Sequence, residues 1–339
     1  MLKKSLSIIQ YIFFLGLGIG LLWYTFRHMT GVQLEQLKDS FRQTKYIFLL
    51  PVVCTLMLAH FSRSMRWRIL MEPLGYKPTR VNVFFSVMIG YFFNLLVPRL
   101  GEVMKCTTLA KYEKVPPDKL IGTIVAERAL DVICLVLVII LTVAVQFDVV
   151  GHYTLQLFSG MVKNKGGTFS YTKAGLYITI LLVVIFGLRW LFRQYGSKGF
   201  FYKVKMFFRG IWEGLTSFKR VKQKGWLLIH TVFIWFMYLA SIYIGFFAFP
   251  QIEHLGIKGS LSVLTFGSIG MIIPTPGGMG SYQYILTKTL PLYDVSEVAA
   301  FAFGNVLWAA QTIILVFFGV ISLVMLPMFN RLKKVPVAV

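Results

Sequence analysis

The chain has 339 residues, of which 57% are hydrophobic and 14% charged, with a net charge of +22 and a mean hydropathy of +0.70. A soluble domain has about 45–50% apolar and about 25% charged residues, so this composition excludes an ordinary soluble protein and predicts a membrane protein. The positive charge does not indicate nucleic acid, because cytoplasmic loops of membrane proteins carry excess Lys and Arg that anionic headgroups attract.

Six segments are apolar enough to cross a membrane, and none alternates as the strands of an outer-membrane barrel do. They comprise residues 8–26, 46–61, 120–147, 174–192, 226–249 and 299–326. Lys3 and Lys4 precede the first segment, and no A-x-A-like cleavage site follows it. We therefore expect a retained first helix rather than a cleaved signal peptide.

Two further apolar stretches, residues 81–109 and 260–290, are interrupted by proline and glycine. If each crossed the membrane once, the basic loops 63–80 and 99–119 would lie on opposite sides. Two re-entrant hairpins, over residues 81–112 and 260–290, instead place most Lys and Arg, with both termini, on the cytoplasmic side. Irregular backbone at membrane depth needs protein or water around it, so the hairpins also predict a cavity.

The predicted fold is therefore an all-α polytopic membrane protein, with about six transmembrane helices and two re-entrant hairpins in one membrane domain, residues 1–339. Residues 46–147 and 226–328 each place a hairpin between two helices, in opposite orientations, which predicts an inverted repeat. Residues 200–224 have apolar positions at helical spacing, with Lys and Arg on the other faces. We interpret them as an amphipathic linker helix on the cytoplasmic leaflet, and favour a plain connector over a regulatory role.

The first break lies in residues 90–102, GYFFNLLVPRLGE. Pro98 removes a backbone donor and Gly101 permits unusual dihedrals, so backbone groups beside Asn94 are freed for a ligand or a neighbouring helix. A charged side chain at this depth needs a partner. Arg99 could bind an anionic headgroup, or Glu102, three residues on, could neutralise it.

Two charged groups lie on the helices around this break. Arg63 and Arg66 end the second segment. They are either ordinary cytoplasmic anchors or guanidinium groups that bind phosphate oxygens bidentately. The next long segment carries Glu127, Arg128 and Asp131 near its start, and we expect them to face the bundle interior.

For this acidic group we favour a structural ion cluster over a proton-coupled carboxylate. The cluster would join its helix to the first hairpin through Arg99 or Lys105.

The second break, residues 272–282 (IIPTPGGMGSY), is too rich in proline and glycine to form a continuous helix. Backbone N–H groups of residues 277–280 could face a phosphate, although no Walker A motif is present. In the last segment Asn305, Trp308 and Gln311 share a face, and they serve either the cavity or contacts between helices.

The remaining chemistry-bearing residues are scattered. The three cysteines have no metal spacing, the five histidines are isolated, and no Ser-His-Asp order, HExxH or CxxC motif occurs. We predict no metal, no cofactor and no enzymatic activity.

In four ordered motifs the chain resembles the membrane region of lysylphosphatidylglycerol synthase/flippase proteins, including stand-alone members without the aminoacyl-transferase domain. These motifs comprise Arg63, Arg66, Trp67, Asn94, Pro98, Arg99, Gly101, Glu102, Glu127, Arg128, Asp131, Pro274, Pro276, Gly277, Gly278 and Gly280. Lys105 stands where this family pattern has arginine, and Gln283 where it often has glutamate. The loss of that carboxylate weakens the expectation of a site for a cationic headgroup at the second hairpin.

The resemblance implies a flippase-like transporter that moves a phospholipid, or a related anionic or aminoacylated lipid, between leaflets of the bacterial inner membrane. A non-catalytic scaffold that binds lipid for a separate membrane or cytoplasmic transferase is the alternative, and a lipid-modifying enzyme is a third. We expect the headgroup to contact Arg63, Arg66, Asn94, Arg99, Glu102, Lys105, Glu127, Arg128 and Asp131. The expected gate loop comprises Pro98, Gly101, Pro274, Thr275, Pro276, Gly277, Gly278, Gly280, Tyr282 and Gln283.

Overall fold

The computed structural model describes residues 2–146 and 221–332, with Gly175 and Thr179, and its regular elements are all helical. The helices are α1 (Leu2–Arg27), α2 (Gly31–Gln43), α3 (Leu49–Met71), α4 (Arg80–Leu96), α5 (Leu100–Glu113), α6 (Pro117–Val145), α7 (Lys224–Phe246), α8 (Gly256–Ile272), α9 (Ser281–Thr289) and α10 (Glu297–Leu332). The predicted all-α class is confirmed. Nearly all of the predicted segment 174–192 and most of the predicted linker helix 200–224 lie outside the described residues.

Five described helical stretches are long and apolar enough to cross a membrane, which confirms a polytopic membrane protein. They are Tyr46–Leu74, Pro117–Val145, Lys224–Phe246, Glu253–Ile272 and Glu297–Arg331. The stretches Phe13–Arg27 and Arg80–Leu96 are apolar but shorter. Glu253–Ile272 qualifies by length and composition even though it contains the first arm of the predicted second hairpin.

The first interrupted stretch folds back on itself as a helical hairpin, α4–α5. At its open end Glu113 Oε1 accepts hydrogen bonds from the Thr79 backbone N–H (3.0 Å) and from Asn82 Nδ2 (2.6 Å). Asn82 also exchanges amide hydrogen bonds of 3.0 and 2.9 Å with Asn330 near the end of α10. We call this end of the bundle end A. With 17 residues, α4 is about 25 Å long, shorter than a hydrocarbon core of about 30 Å.

The second interrupted stretch is also a hairpin, α8–α9, and it opens at the other end of the bundle. Ser262 in the second turn of α8 lies 2.5 Å (Oγ to Oη) from Tyr293, which follows α9. The start of α8 is held to the end of α6 by a 2.6 Å hydrogen bond from Gln146 Nε2 to the Lys258 carbonyl. A 2.8 Å bond from the Lys45 backbone N–H to the Ala248 carbonyl joins the start of α3 to the end of α7. We call this end B.

The two halves of the chain therefore run in opposite directions. Helix α3 runs from end B to end A, the α4–α5 hairpin opens at end A, and α6 returns to end B. Helix α7 runs from end A to end B, the α8–α9 hairpin opens at end B, and α10 returns to end A. An inverted repeat requires this order. The placement of the hairpins within a bilayer and the cytoplasmic position of end A stay predictions.

One helix was missed by the sequence analysis, which predicted no element between the segments 8–26 and 46–61. Helix α2 begins at a capping box, in which the Thr30 hydroxyl accepts from the Gln33 backbone N–H and the Gln33 side chain accepts from the Thr30 N–H. Its Leu37 is buried in a large core cluster with Phe246 and Phe303. The capping pattern was readable in the sequence, but the helix is mostly polar and gave no hydropathy signal.

The positions of the hairpin ends predict the outcome of cysteine labelling in intact cells. In a background without Cys54, Cys106 and Cys134, single cysteines at the exposed Lys77 and Lys114 should react with a membrane-impermeant reagent from the same side. Cysteines at the exposed Lys258 and Asp294 should react from the opposite side. Labelling of Lys77 and Lys114 positions from opposite sides would exclude a re-entrant first hairpin.

Candidate functional site at the two helix breaks

The first break is a tight reversal of three residues. Helix α4 ends at Leu96, and Arg99 adopts a left-handed backbone conformation (φ 67°) before α5 begins. Asn94 fixes the reversal, because its Oδ1 accepts a 2.9 Å hydrogen bond from the Gly101 backbone N–H. That bond satisfies one of the donors left open at the start of a helix. The amide of Asn94 is thus used to build the break.

The second break is a loop that contains one short 3-10 turn, Pro276–Gly278, and is held by hydrogen bonds on two sides. Gly277, Gly278 and Gly280 have positive φ angles of 56°, 74° and 78°, which glycine alone adopts without strain. Gln283 Oε1 accepts from the Gly280 N–H at 2.8 Å, and Trp308 Nε1 on α10 donates to the Gly277 carbonyl at 2.8 Å. The predicted non-helical loop is therefore present. Like Asn94 at the start of α5, Gln283 accepts a backbone N–H through its amide oxygen at the start of α9.

The two breaks meet in the middle of the bundle. Gly277 approaches Leu95 so closely that a Cβ at Gly277 would lie 2.5 Å from Leu95 Cδ2. A cavity of about 310 Å³, here called the break cavity, lies between them. Its lining includes Asn94, Pro98, Arg99, Pro274, Thr275 and Gln311. The sequence predicted this cavity from the two interruptions alone.

Arg99 lies on the wall of the break cavity with its side chain exposed. It makes no hydrogen bond or ion pair with any residue that the structure describes. Its proposed neutraliser, Glu102, instead pairs with Arg128 on α6, at 2.9 Å from Arg128 Nη2 and 3.0 Å from Nε. Pairing of Arg99 with Glu102 is therefore wrong, because the left-handed turn at Arg99 separates it from the face of α5 on which Glu102 lies.

A buried ion cluster stands behind this wall, on α3, α5 and α6. Arg63 Nη1 lies 2.8 Å from Asp131 Oδ2, and Arg66 Nη2 lies 2.7 Å from Asp131 Oδ1. Lys105 Nζ lies 2.7 Å from Glu127 Oε2. The two arginines also approach the other oxygen of Glu127, at 3.4 and 3.5 Å. Lys105, and not Arg99, joins α6 to the first hairpin.

This cluster corrects two expectations. Arg63 and Arg66 were expected to end the second segment, but α3 continues to Met71, and both arginines pair with carboxylates inside the bundle. Arg66 was expected to contact a headgroup, but its side chain is 0% exposed and lines no described cavity. Lys105 and Glu127 line only a space of about 20 Å³, the size of one water. Arg66, Lys105 and Glu127 therefore stabilise the helices around the break cavity without lining it.

A second cavity of about 370 Å³ adjoins the break cavity and shares Arg128, Met271, Ile272 and Gln311 with it. We call it the aromatic cavity. Most of its lining is apolar, and its other members include Arg63, Asp131, Trp235, Tyr238 and Tyr282. The guanidinium of Arg63 lies 6.0 Å from the Tyr238 ring centre, within cation–π range.

Comparison with known proteins identifies the family. The family model for the lysylphosphatidylglycerol synthase transmembrane region matches residues 8–319. The chain belongs to this family. A curated relative, the UPF0104 membrane protein MJ1595 of Methanocaldococcus jannaschii, is 24% identical over 267 residues, which cover 75% of this chain and 76% of the relative. No solved structure matches the chain.

In this member of the lysylphosphatidylglycerol synthase transmembrane-region family, sequence reasoning missed the aromatic cavity. Trp235 and Tyr238 lie in the segment 226–249, where aromatic residues are frequent and nothing distinguished these two. Sequence reasoning grouped Asn305, Trp308 and Gln311, but the structure separates their roles. Asn305 bonds to its own helix, Trp308 holds the second break, and Gln311 lines both cavities.

Proposed function

We propose that this protein is a flippase-like transporter that moves a phospholipid, or a related anionic or aminoacylated lipid, between leaflets of the bacterial inner membrane without changing it chemically. The observation that carries the proposal is the break cavity, where two oppositely directed hairpins meet around Arg99, a cation without a partner in the described structure. Transporters with inverted repeats and broken helices hold their substrates at this kind of junction.

In the proposed mechanism the headgroup occupies the break cavity while the acyl chains stay in apolar surroundings. Arg99 holds the phosphate by charge-assisted hydrogen bonds. The second break acts as the gate, and the Trp308–Gly277 hydrogen bond and the Gly277–Leu95 contact hold it against α10 and α4 in the closed position. No nucleotide-binding motif was found in the sequence, so movement down a lipid gradient or coupled to an ion is proposed.

One observation favours the alternative of a non-catalytic scaffold that presents a bound lipid to a separate transferase. Both breaks are fixed by well-formed hydrogen bonds, from the Gly101 N–H to Asn94 (2.9 Å) and from the Gly280 N–H to Gln283 (2.8 Å). A loop held in this way suits a static binding site, whereas transport requires at least one break to move.

Reconstitution separates these functions. Purified protein in liposomes should move a fluorescently labelled phospholipid between leaflets without any other protein, as read by dithionite quenching. The Arg99→Gln variant should move it about tenfold more slowly, the loss expected for one charge-assisted contact. Arg331→Gln, at an exposed arginine in the last turn of α10, is the matched control and should behave as wild type. Lipid binding without movement would favour the scaffold, and a change in the lipid's mass would favour an enzyme.

A further inference from the structure

The charged residues of the buried cluster and of the cavity walls do not balance. Five basic side chains stand against three carboxylates, an excess of two positive charges. The basic residues are Arg63, Arg66, Arg99, Lys105 and Arg128, and the acidic ones are Glu102, Glu127 and Asp131. The other acidic residues in the described ranges lie on α2 or near ends A and B, where Glu113, Glu253 and Glu297 already have partners.

The part of the chain outside the described ranges offers little acid to correct this excess. Residues 147–220 contain only Asp148 and Glu213, against eleven Lys and Arg. The predicted membrane segment in that stretch, residues 174–192, contains no acidic residue at all. That part of the chain therefore adds net positive charge, and its composition favours neutralisation of the excess from outside the protein.

Each of these three carboxylates is already engaged by a cation at 3.0 Å or less. Glu102 is bound by Arg128, Glu127 by Lys105, and Asp131 by Arg63 and Arg66. Among the described residues no carboxylate at either cavity is thus free to receive an ammonium group.

The spare hydrogen-bonding capacity is on the basic side. Nε of Arg63, and Nε and Nη1 of Arg66, are buried without a partner in the described structure, and Arg99 is unpaired on the cavity wall. Buried cations are tolerated when an anion compensates them.

We infer that the lipid handled here has a net negative headgroup, with a phosphate and no compensating amine. The inference rests on the proposed function and names the substrate class of the same site. The phosphate lies against Arg99 in the break cavity, and the adjoining aromatic cavity, reached past Met271 and Ile272, receives apolar chain. A lysyl ester of phosphatidylglycerol carries two ammonium groups and one phosphate. Its net charge is therefore positive, and it would increase the excess of positive charge at this site.

Lipid selectivity tests the substrate class separately from transport. Solubilised protein is offered an equimolar mixture of phosphatidic acid, phosphatidylglycerol, phosphatidylcholine and lysyl-phosphatidylglycerol, and the retained lipids are measured by native mass spectrometry. We expect the two anionic lipids to be retained at least about tenfold over the other two, as a single ionic contact allows. Arg99→Gln should lose most of this preference, whereas Arg331→Gln should keep it.

Three outcomes decide the matter. Equal or preferential retention of lysyl-phosphatidylglycerol or phosphatidylcholine by wild type would overturn the inference, whether or not the protein transports lipid. Anionic selectivity without movement in the liposome assay would leave the substrate class standing and remove the transport function. Displacement of the lipids by inorganic phosphate in large molar excess would assign the site to a free anion and overturn the lipid class.

Discussion

Replacing Asp131 by alanine is expected to destabilise the protein by about 3–5 kcal/mol, the cost of removing one partner from a buried ion pair. Asp131 is the closest acid to both Arg63 and Arg66, at 2.8 and 2.7 Å. Without it, two guanidinium groups inside the bundle share the single remaining carboxylate of Glu127, which Lys105 already binds. Thermal unfolding followed by tryptophan fluorescence in detergent should show a large fall in the midpoint.

The matched control is Asp118→Ala, at an exposed carboxylate in the first turn of the same helix. It should change stability by less than about 1 kcal/mol, because an acid at a helix start contributes only a weak dipole interaction. The double variant Arg66→Met/Asp131→Leu should lose less stability than Asp131→Ala, since apolar residues can replace a whole buried pair. If Asp131→Ala unfolds like the wild type, the cluster is not a structural element and proton coupling becomes the better interpretation of its carboxylates.

Replacing Gly101 by alanine should prevent the first hairpin from closing. A Cβ at this position would lie 1.9 Å from the Gly90 carbonyl oxygen and 2.6 Å from Asn94 Cγ, so α4 and α5 would have to separate. Overpacking of a core typically costs 1–3 kcal/mol, and about 3 kcal/mol or more is expected here because the obstructing atom is backbone. Loss of folded protein on size-exclusion chromatography and a lower unfolding midpoint would report it.

Gly122→Ala provides the comparison within the same protein. Gly122 is exposed on α6 with no atom near the position of an added Cβ, so alanine should stabilise its helix by up to about 1 kcal/mol. Gly101→Ala with normal stability and normal lipid selectivity would mean that the close contact between α4 and α5 is not needed.

The sequence by itself was sufficient for the properties that depend on local composition. Long apolar segments identify membrane helices. A helix that crosses about 30 Å of hydrocarbon needs apolar side chains, and its backbone hydrogen bonds must be satisfied within the helix. Pro98, Gly101 and the run from Pro274 to Gly280 marked both breaks, since these residues cannot continue a helix without strain or loss. The positive-inside count then favoured hairpins over crossings.

The tertiary structure alone decided which charges meet. Arg63 and Asp131 are 68 residues apart and Glu102 and Arg128 are 26 apart, and no spacing rule within one helix connects either pair. The sequence offered Glu102 as the neighbour of Arg99, but the backbone turn at Arg99 directs the two side chains apart, and α6 supplies Arg128 to Glu102 instead. The unpaired arginine at the break, on which the proposed function depends, therefore results from long-range packing that local sequence does not encode.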